Sequence, residues 1–173
     1  MNESMPVFLI GPMGAGKTTI GRHLARLLDK SFVDLDQEIE RSCGADISWI
    51  FDVEGEAGFR RRESAMLCEV ANRNNMVIAT GGGAVLDSEN RALMKRAGIV
   101  VFLSVATKVL YNRMQQDTKR PLLQGGDKKA MIESIVKERE PLYKEIADIV
   151  FDGHKKTPAL AAQELASLIR QRI

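Results

Sequence analysis

The chain has 173 residues, enough for one domain with an ample core. Apolar residues make up 45% and charged residues 28%; the apolar runs are of strand length, which excludes a helical membrane span. A net charge of +2 is too small to argue for nucleic acid, and the first six residues lack the basic start and long apolar core of a secretory signal, so a cytoplasmic location is expected.

Val7 to Ile10 reads as a short buried strand. Gly11-Pro-Met-Gly14-Ala15-Gly16-Lys17-Thr18 follows and fits G-x-x-x-x-G-K-[ST], a phosphate-binding loop. Thr19 to Leu28 then carries Ile20, Leu24, Leu27 and Leu28 on one helical face, so the motif has its strand–loop–helix setting. Glycines let backbone N–H groups approach phosphate oxygens, and the helix start adds partial positive charge. Lys17 can reach the β- and γ-phosphates of a nucleotide, and the Thr18 hydroxyl can ligate Mg²⁺.

Apolar strand runs then alternate with amphipathic helical runs, the pattern of a parallel α/β sheet. Ser31 to Asp34 is the second strand, ending in Asp34-Leu-Asp36. If the extended backbone persists, both carboxylates point to one side at the strand end where such sheets bind ligands; the other reading is a pair of helix N-caps. Trp49, Ile50 and Phe51 are expected to pack a small helix against the core. Glu56 to Asn72 reads as a long helix with Phe59, Met66, Leu67 and Val70 inward. Its Arg60-Arg61-Arg62 run is a solvated face or supplies one guanidinium fork for a ligand carboxylate.

Met76 to Ala79 is the third strand, followed by Thr80-Gly81-Gly82-Gly83. Three consecutive glycines are entropically expensive and imply close approach of a ligand or another backbone, or else a plain flexible loop. Asp87 caps a short helix that Gly98 ends. Ile99 to Leu103 is the fourth strand. Thr107 is expected to cap a helix running to about Gln116, with Val109, Leu110 and Met114 inward and Arg113 near its end as a dipole partner. Asp117 to Lys128 is polar and of lid length; Lys119 and Arg120 on such a flap can close over a transferring phosphoryl group. Lys129 to Arg139 is helical and leads into Glu140-Pro-Leu-Tyr143. Ile149 to Phe151 is the fifth strand, and Thr157-Pro158 starts the closing helix. Cys43, Cys68, His23 and His154 show no metal or redox spacing.

Six motifs occur in order: the phosphate loop, Asp34-Leu-Asp36, Gly58-Phe-Arg60-x-x-Glu63, Thr80-Gly-Gly-Gly83, Arg120-Pro-Leu-Leu and Glu138-Arg139-x-x-x-Tyr143. Together they resemble the shikimate kinase family over nearly the whole chain. The resemblance implies a single domain over 1–173 with its core from about residue 5, a three-layer α/β/α fold around a five-stranded parallel sheet like that of nucleoside monophosphate kinases, a lid at about 117–128 and a substrate-binding helical region at about 37–64. It implies ATP and shikimate as substrates, 3-phosphoshikimate and ADP as products, and Mg²⁺ as cofactor. By matching position, Gly14, Ala15, Gly16, Lys17, Thr18 and Thr19 hold the ATP phosphates, with Thr18 and Asp34 at the metal. Asp36, Arg60, Gly81, Gly82, Gly83 and Arg139 bind shikimate. Lys17, Asp36 and Arg120 carry catalysis, Arg120 from the lid, while Arg113 and Lys156 lie against adenine. No heptad seam is evident, so a monomer is expected.

Overall fold

The computed structural model describes residues 3–115 and 126–173. Five parallel strands form one sheet: β1 (Val7–Ile10), β2 (Ser31–Asp34), β3 (Met76–Ala79), β4 (Ile99–Ser104) and β5 (Ile149–Asp152), in the order β2-β3-β1-β4-β5. β1 pairs with β3 on one side, Phe8 opposite Ile78, and with β4 on the other, Phe8 opposite Val100. After β1 the chain builds the β2–β3 side, then crosses to β4 and β5. The carboxyl end of β1 is therefore the point where the winding reverses, the place where open α/β sheets bind ligands.

The inner strands are apolar on both faces because helices cover both. Phe8, Ile10, Ile78, Val100 and Phe102 face one layer: α2 (Leu35–Cys43), α3 (Ile47–Ala71), α4 (Ser88–Ala97) and α6 (Lys128–Ile146). Val7, Leu9, Val77, Val101 and Leu103 face α1 (Lys17–Leu27) and α7 (Pro158–Arg170). Leu110 and Met114 of α5 (Thr107–Met114) pack with Ile132 of α6 in a smaller third cluster.

α3 is broken at Gly55 (φ 72°, ψ 177°), so a short helix through Trp49–Phe51 precedes a long one starting at Glu56. Four local expectations change. Trp49 remains 52% exposed, and it is Ile50 that the short helix buries. Leu27 is 38% exposed, because the face of α1 that meets the sheet and α7 is set by Ile20, Leu24 and Ala25. Ala106 occupies the N-cap of α5 and Thr107 is already helical. Asp127 caps α6 by accepting from Lys129 and Ala130 N–H groups, so helix begins at Lys128 and runs through Pro141 to Ile146. Asp87 and Thr157 cap α4 and α7 as expected. Residues 116–125, and with them most of the expected lid, Lys119 and Arg120, lie outside the described residues.

Candidate active site

The loop after β1 is built by left-handed glycines. Gly14 has φ 80°, and Gly16 has φ 93° where it takes the N-cap of α1 without a side chain to satisfy the helix's first N–H groups. Those donors face a helix start whose partial charge favours an anion. Lys17 is nearly buried and donates its ammonium protons to the carbonyls of Gly11 at 2.7 Å and Pro12 at 2.8 Å, which holds it folded along the loop. Thr18 donates its hydroxyl to Asp34 Oδ2, while Asp34 Oδ1 accepts from the Gln37 N–H and caps α2. Asp34 is thus a helix cap, one of the two readings the sequence offers, and its second oxygen is tied to the phosphate loop. This hydroxyl–carboxylate pair is an all-oxygen donor set, the kind a small hard dication takes when phosphates and water complete its shell.

The expected side-by-side display of Asp34 and Asp36 from extended backbone does not occur. The strand stops at Asp34, and Asp36 stands in the first turn of α2. Both nevertheless line one cavity of about 700 Å³, together with Gly14–Thr19, Gly81, Gly82, Arg113 and Lys156. Arg113 stands in the last turn of α5 as expected, and from there it donates to the Gly14 carbonyl at 2.7 Å. Lys156 is engaged on its outer side, 2.6 Å from Glu164 and over the Phe151 ring.

The triple glycine is a wall of close approach. None of Gly81–Gly83 has a left-handed φ. A Cβ at Gly81 would stand 2.6 Å from Glu63 Oε2 and 3.0 Å from Asp36 Oδ1. One at Gly82 would stand 3.3 Å from the Met13 N and 3.4 Å from Arg139 Nη1, and one at Gly83 would collide with the Arg60 guanidinium. The close neighbours are thus mainly charged side chains, with phosphate-loop backbone at Gly82. Arg139 stands against Gly82 and Arg60 against Gly83; unlike Gly81 and Gly82, the predicted site residues Arg60, Gly83 and Arg139 do not line the cavity itself.

Two buried charges, Glu63 and Arg139, meet the half-buried Arg60 there. Arg60 donates to Glu63 Oε1 at 2.8 Å, one helical turn away, and also pairs with Glu56. Glu63 is 1% exposed, and burial pushes its carboxyl above the usual carboxylate range, against the pull of Arg60 and then Arg139. Arg60 Nε and Arg139 Nε are buried with no hydrogen-bond partner among the described residues, so each guanidinium beside the glycine wall keeps an unused donor. Tyr143, one turn beyond Arg139 on α6, donates its hydroxyl to the Gly82 carbonyl at 2.6 Å. Glu63 and Tyr143 both stood inside recognised motifs but were assigned no role from sequence. For Glu63 the signal was its i,i+3 spacing from Arg60 on a helix.

The family model for shikimate kinase matches residues 13–170. The chain is 51% identical over 170 residues to the shikimate kinase of Pasteurella multocida, covering 98% of this chain and 97% of that one. A shikimate kinase from Francisella tularensis subsp. novicida is 51% identical over 158 residues, covering 91% and 90%. Among solved structures, a shikimate kinase from Acinetobacter baumannii in complex with shikimate superposes with a TM-score of 0.95 at 44% identity, covering 98% of this chain and 94% of that one. A gluconokinase from Sinorhizobium meliloti shares the fold at 15% identity, with a TM-score of 0.61 and 99% of each chain covered.

Proposed function

This chain belongs to the shikimate kinase family, and from that premise we propose how its residues transfer the γ-phosphoryl group of ATP to the 3-hydroxyl of shikimate, giving 3-phosphoshikimate and ADP. The observation that carries the reading is the single cavity on which the phosphate loop, Asp36 and the glycine wall converge. ATP lays its phosphates on the N–H groups of Gly14–Thr19. Lys17, now folded onto the carbonyls of Gly11 and Pro12, turns outward to the β- and γ-phosphates. Thr18 and Asp34 are the oxygen pair that would hold Mg²⁺, which when bound would supply charge neutralisation for the phosphates. Arg113 and Lys156 lie on the nucleotide side.

Shikimate is an acid bearing ring hydroxyls. Its carboxylate is matched by the Arg60 and Arg139 guanidiniums, whose planar forks suit a bidentate anionic acceptor. Glu63 holds Arg60 in place from below. The glycine wall admits the ring because no Cβ stands between it and those charges. Asp36 accepts the hydrogen bond of the reacting hydroxyl and orients its oxygen toward the γ-phosphorus. As the P–O bond to ADP breaks and the bond to the 3-hydroxyl oxygen of shikimate forms, the hydroxyl proton passes to Asp36. Arg120 closes from the lid, excluding water and countering charge on the moving phosphoryl. The chain works as a monomer in the cytoplasm; among the described residues no helix is long and apolar enough to cross a membrane.

The test is ADP release measured against shikimate, gluconate and nucleoside monophosphates. Turnover is expected with shikimate alone. Preferential turnover of gluconate would replace the acceptor with an open-chain acid, and tight ATP binding without turnover on any acid would make the protein a nucleotide switch.

A further inference from the structure

The side chain the mechanism leaves unused is Tyr143. It is 1% exposed, and its ring stacks on Phe102 of β4 with centroids 5.0 Å apart. Phenylalanine would serve that packing as well, without the desolvation cost of a buried hydroxyl. The hydroxyl instead serves the site. It donates to the carbonyl of Gly82, at the centre of the glycine wall. The Arg139 guanidinium, four residues earlier on α6, stands against the same glycine, its Nη1 3.4 Å from where a Gly82 Cβ would be. Gly82 in turn lies against the Met13 N and the Gly11 carbonyl of the phosphate loop.

The wall needs such a tie. Glycine has the largest conformational freedom of any residue, and no left-handed φ locks Gly81–Gly83. Neighbouring turns hold its two ends: the Ala84 N–H donates to the Gly81 carbonyl and the Leu86 N–H to the Gly83 carbonyl. Asn90, buried on α4, and Arg91 anchor the following turn through the carbonyls of Ala84, Val85 and Leu86. The middle peptide is fastened by Tyr143. The Tyr143 phenol and the Arg139 guanidinium, one turn apart on α6, therefore meet at the same glycine of the wall.

We propose that Tyr143 is a positioning residue for the acid substrate: it couples Arg139 to the Gly82 peptide so that the guanidinium and the ring-facing backbone are presented together. The proposal rests on the shikimate kinase reading. Tyr143→Phe keeps the ring and its stacking and removes only the hydroxyl. The KM for shikimate is expected to rise about 3–10-fold, the equivalent of one buried hydrogen bond, with the KM for ATP within about twofold of wild type. Arg139→Lys and the double variant complete a cycle whose combined effect is expected to fall short of the product of the two single effects. Wild-type turnover of shikimate in the same assay tests the underlying reading separately. An unchanged shikimate KM, equal rises for both substrates, or a fully multiplicative cycle overturns the proposal. If Tyr143→Phe does not accumulate as folded protein, 3-fluorotyrosine placed at 143 alone gives a second readout. Its fluorine resonance is expected to move on adding shikimate, and a resonance indifferent to shikimate overturns the coupling.

Discussion

The two ends of the cavity both depend on glycine, and for different physical reasons. At the phosphate loop, Gly11, Gly14 and Gly16 have φ of 146°, 80° and 93°, conformations that place backbone N–H groups inward and that side-chain-bearing residues adopt only with strain. At the wall, Gly81–Gly83 have ordinary φ, and the glycines matter for the space they leave to Glu63, Arg60 and Arg139. One end is a backbone site, where the chain's own dipoles meet phosphate. The other is a side-chain site, where buried charges are brought up behind a bare backbone. The difference separates what each ligand can feel when one end is altered.

Asp36→Ala sharpens the contrast most. Asp36 lines the shared cavity but stands on the wall side, 3.0 Å from where a Gly81 Cβ would be. Its loss is expected to lower kcat by about 10²–10⁴-fold, the usual worth of a positioned proton acceptor, with ATP affinity by calorimetry near that of wild type. Near-normal turnover would remove Asp36 from the reaction.

The wall side also has a signature in stability. Burial pushes the Tyr143 phenol from 10.0 up to about 12, with Arg139 acting in the opposite sense. Between these values the unfolded chain has released the proton and the native chain has kept it, so the native state binds more protons and stability falls as pH rises. The loss attributable to this group reaches about 2–3 kcal/mol by pH 12. Denaturant titrations from pH 9 to 12 are expected to show a shallower decline for Tyr143→Phe than for wild type. Identical declines would contradict the buried, neutral phenol.

The smallest effect belongs to the rim of the phosphate end. Arg113 is exposed and, among the described residues, makes one bond, to the Gly14 carbonyl. Arg113→Ala is expected to raise the KM for ATP about 2–5-fold and to leave that for shikimate unchanged, as for one solvent-accessible bond. A larger effect on shikimate would blur the division between the two ends.

Much of this was legible in the sequence where local signals and packing agree. Five strands, the caps at Asp87 and Thr157, and the phosphate loop follow from apolar runs, capping residues and a motif with a backbone mechanism. The failures share a cause. Trp49 and Leu27 are apolar and in helical register with buried neighbours, yet lie outside the contact made by the adjoining helices, which periodicity alone does not fix. Display of Asp34 and Asp36 on one side needs extended backbone for two residues past Asp34, but Asp34 caps α2 and the helix starts at Leu35. Thr107 lost its cap position because Ala106 turns first. At the wall, the glycines announced close approach, but Glu63 and Tyr143 arrive from α3 and α6, far along the chain, and only the fold brings them there.

The division of the cavity is tested most directly by one pair of alanine variants, Gly14→Ala and Gly81→Ala, each assayed for both substrates. Gly14 has φ 80°, so a Cβ there strains the phosphate loop, and the KM for ATP is expected to rise about 5–30-fold with shikimate little affected. Gly81→Ala drives a Cβ against the Glu63 and Asp36 carboxylates, and the KM for shikimate is expected to rise about 5–100-fold with ATP little affected. Two variants that each weaken both substrates alike would contradict a cavity with separate backbone and side-chain ends.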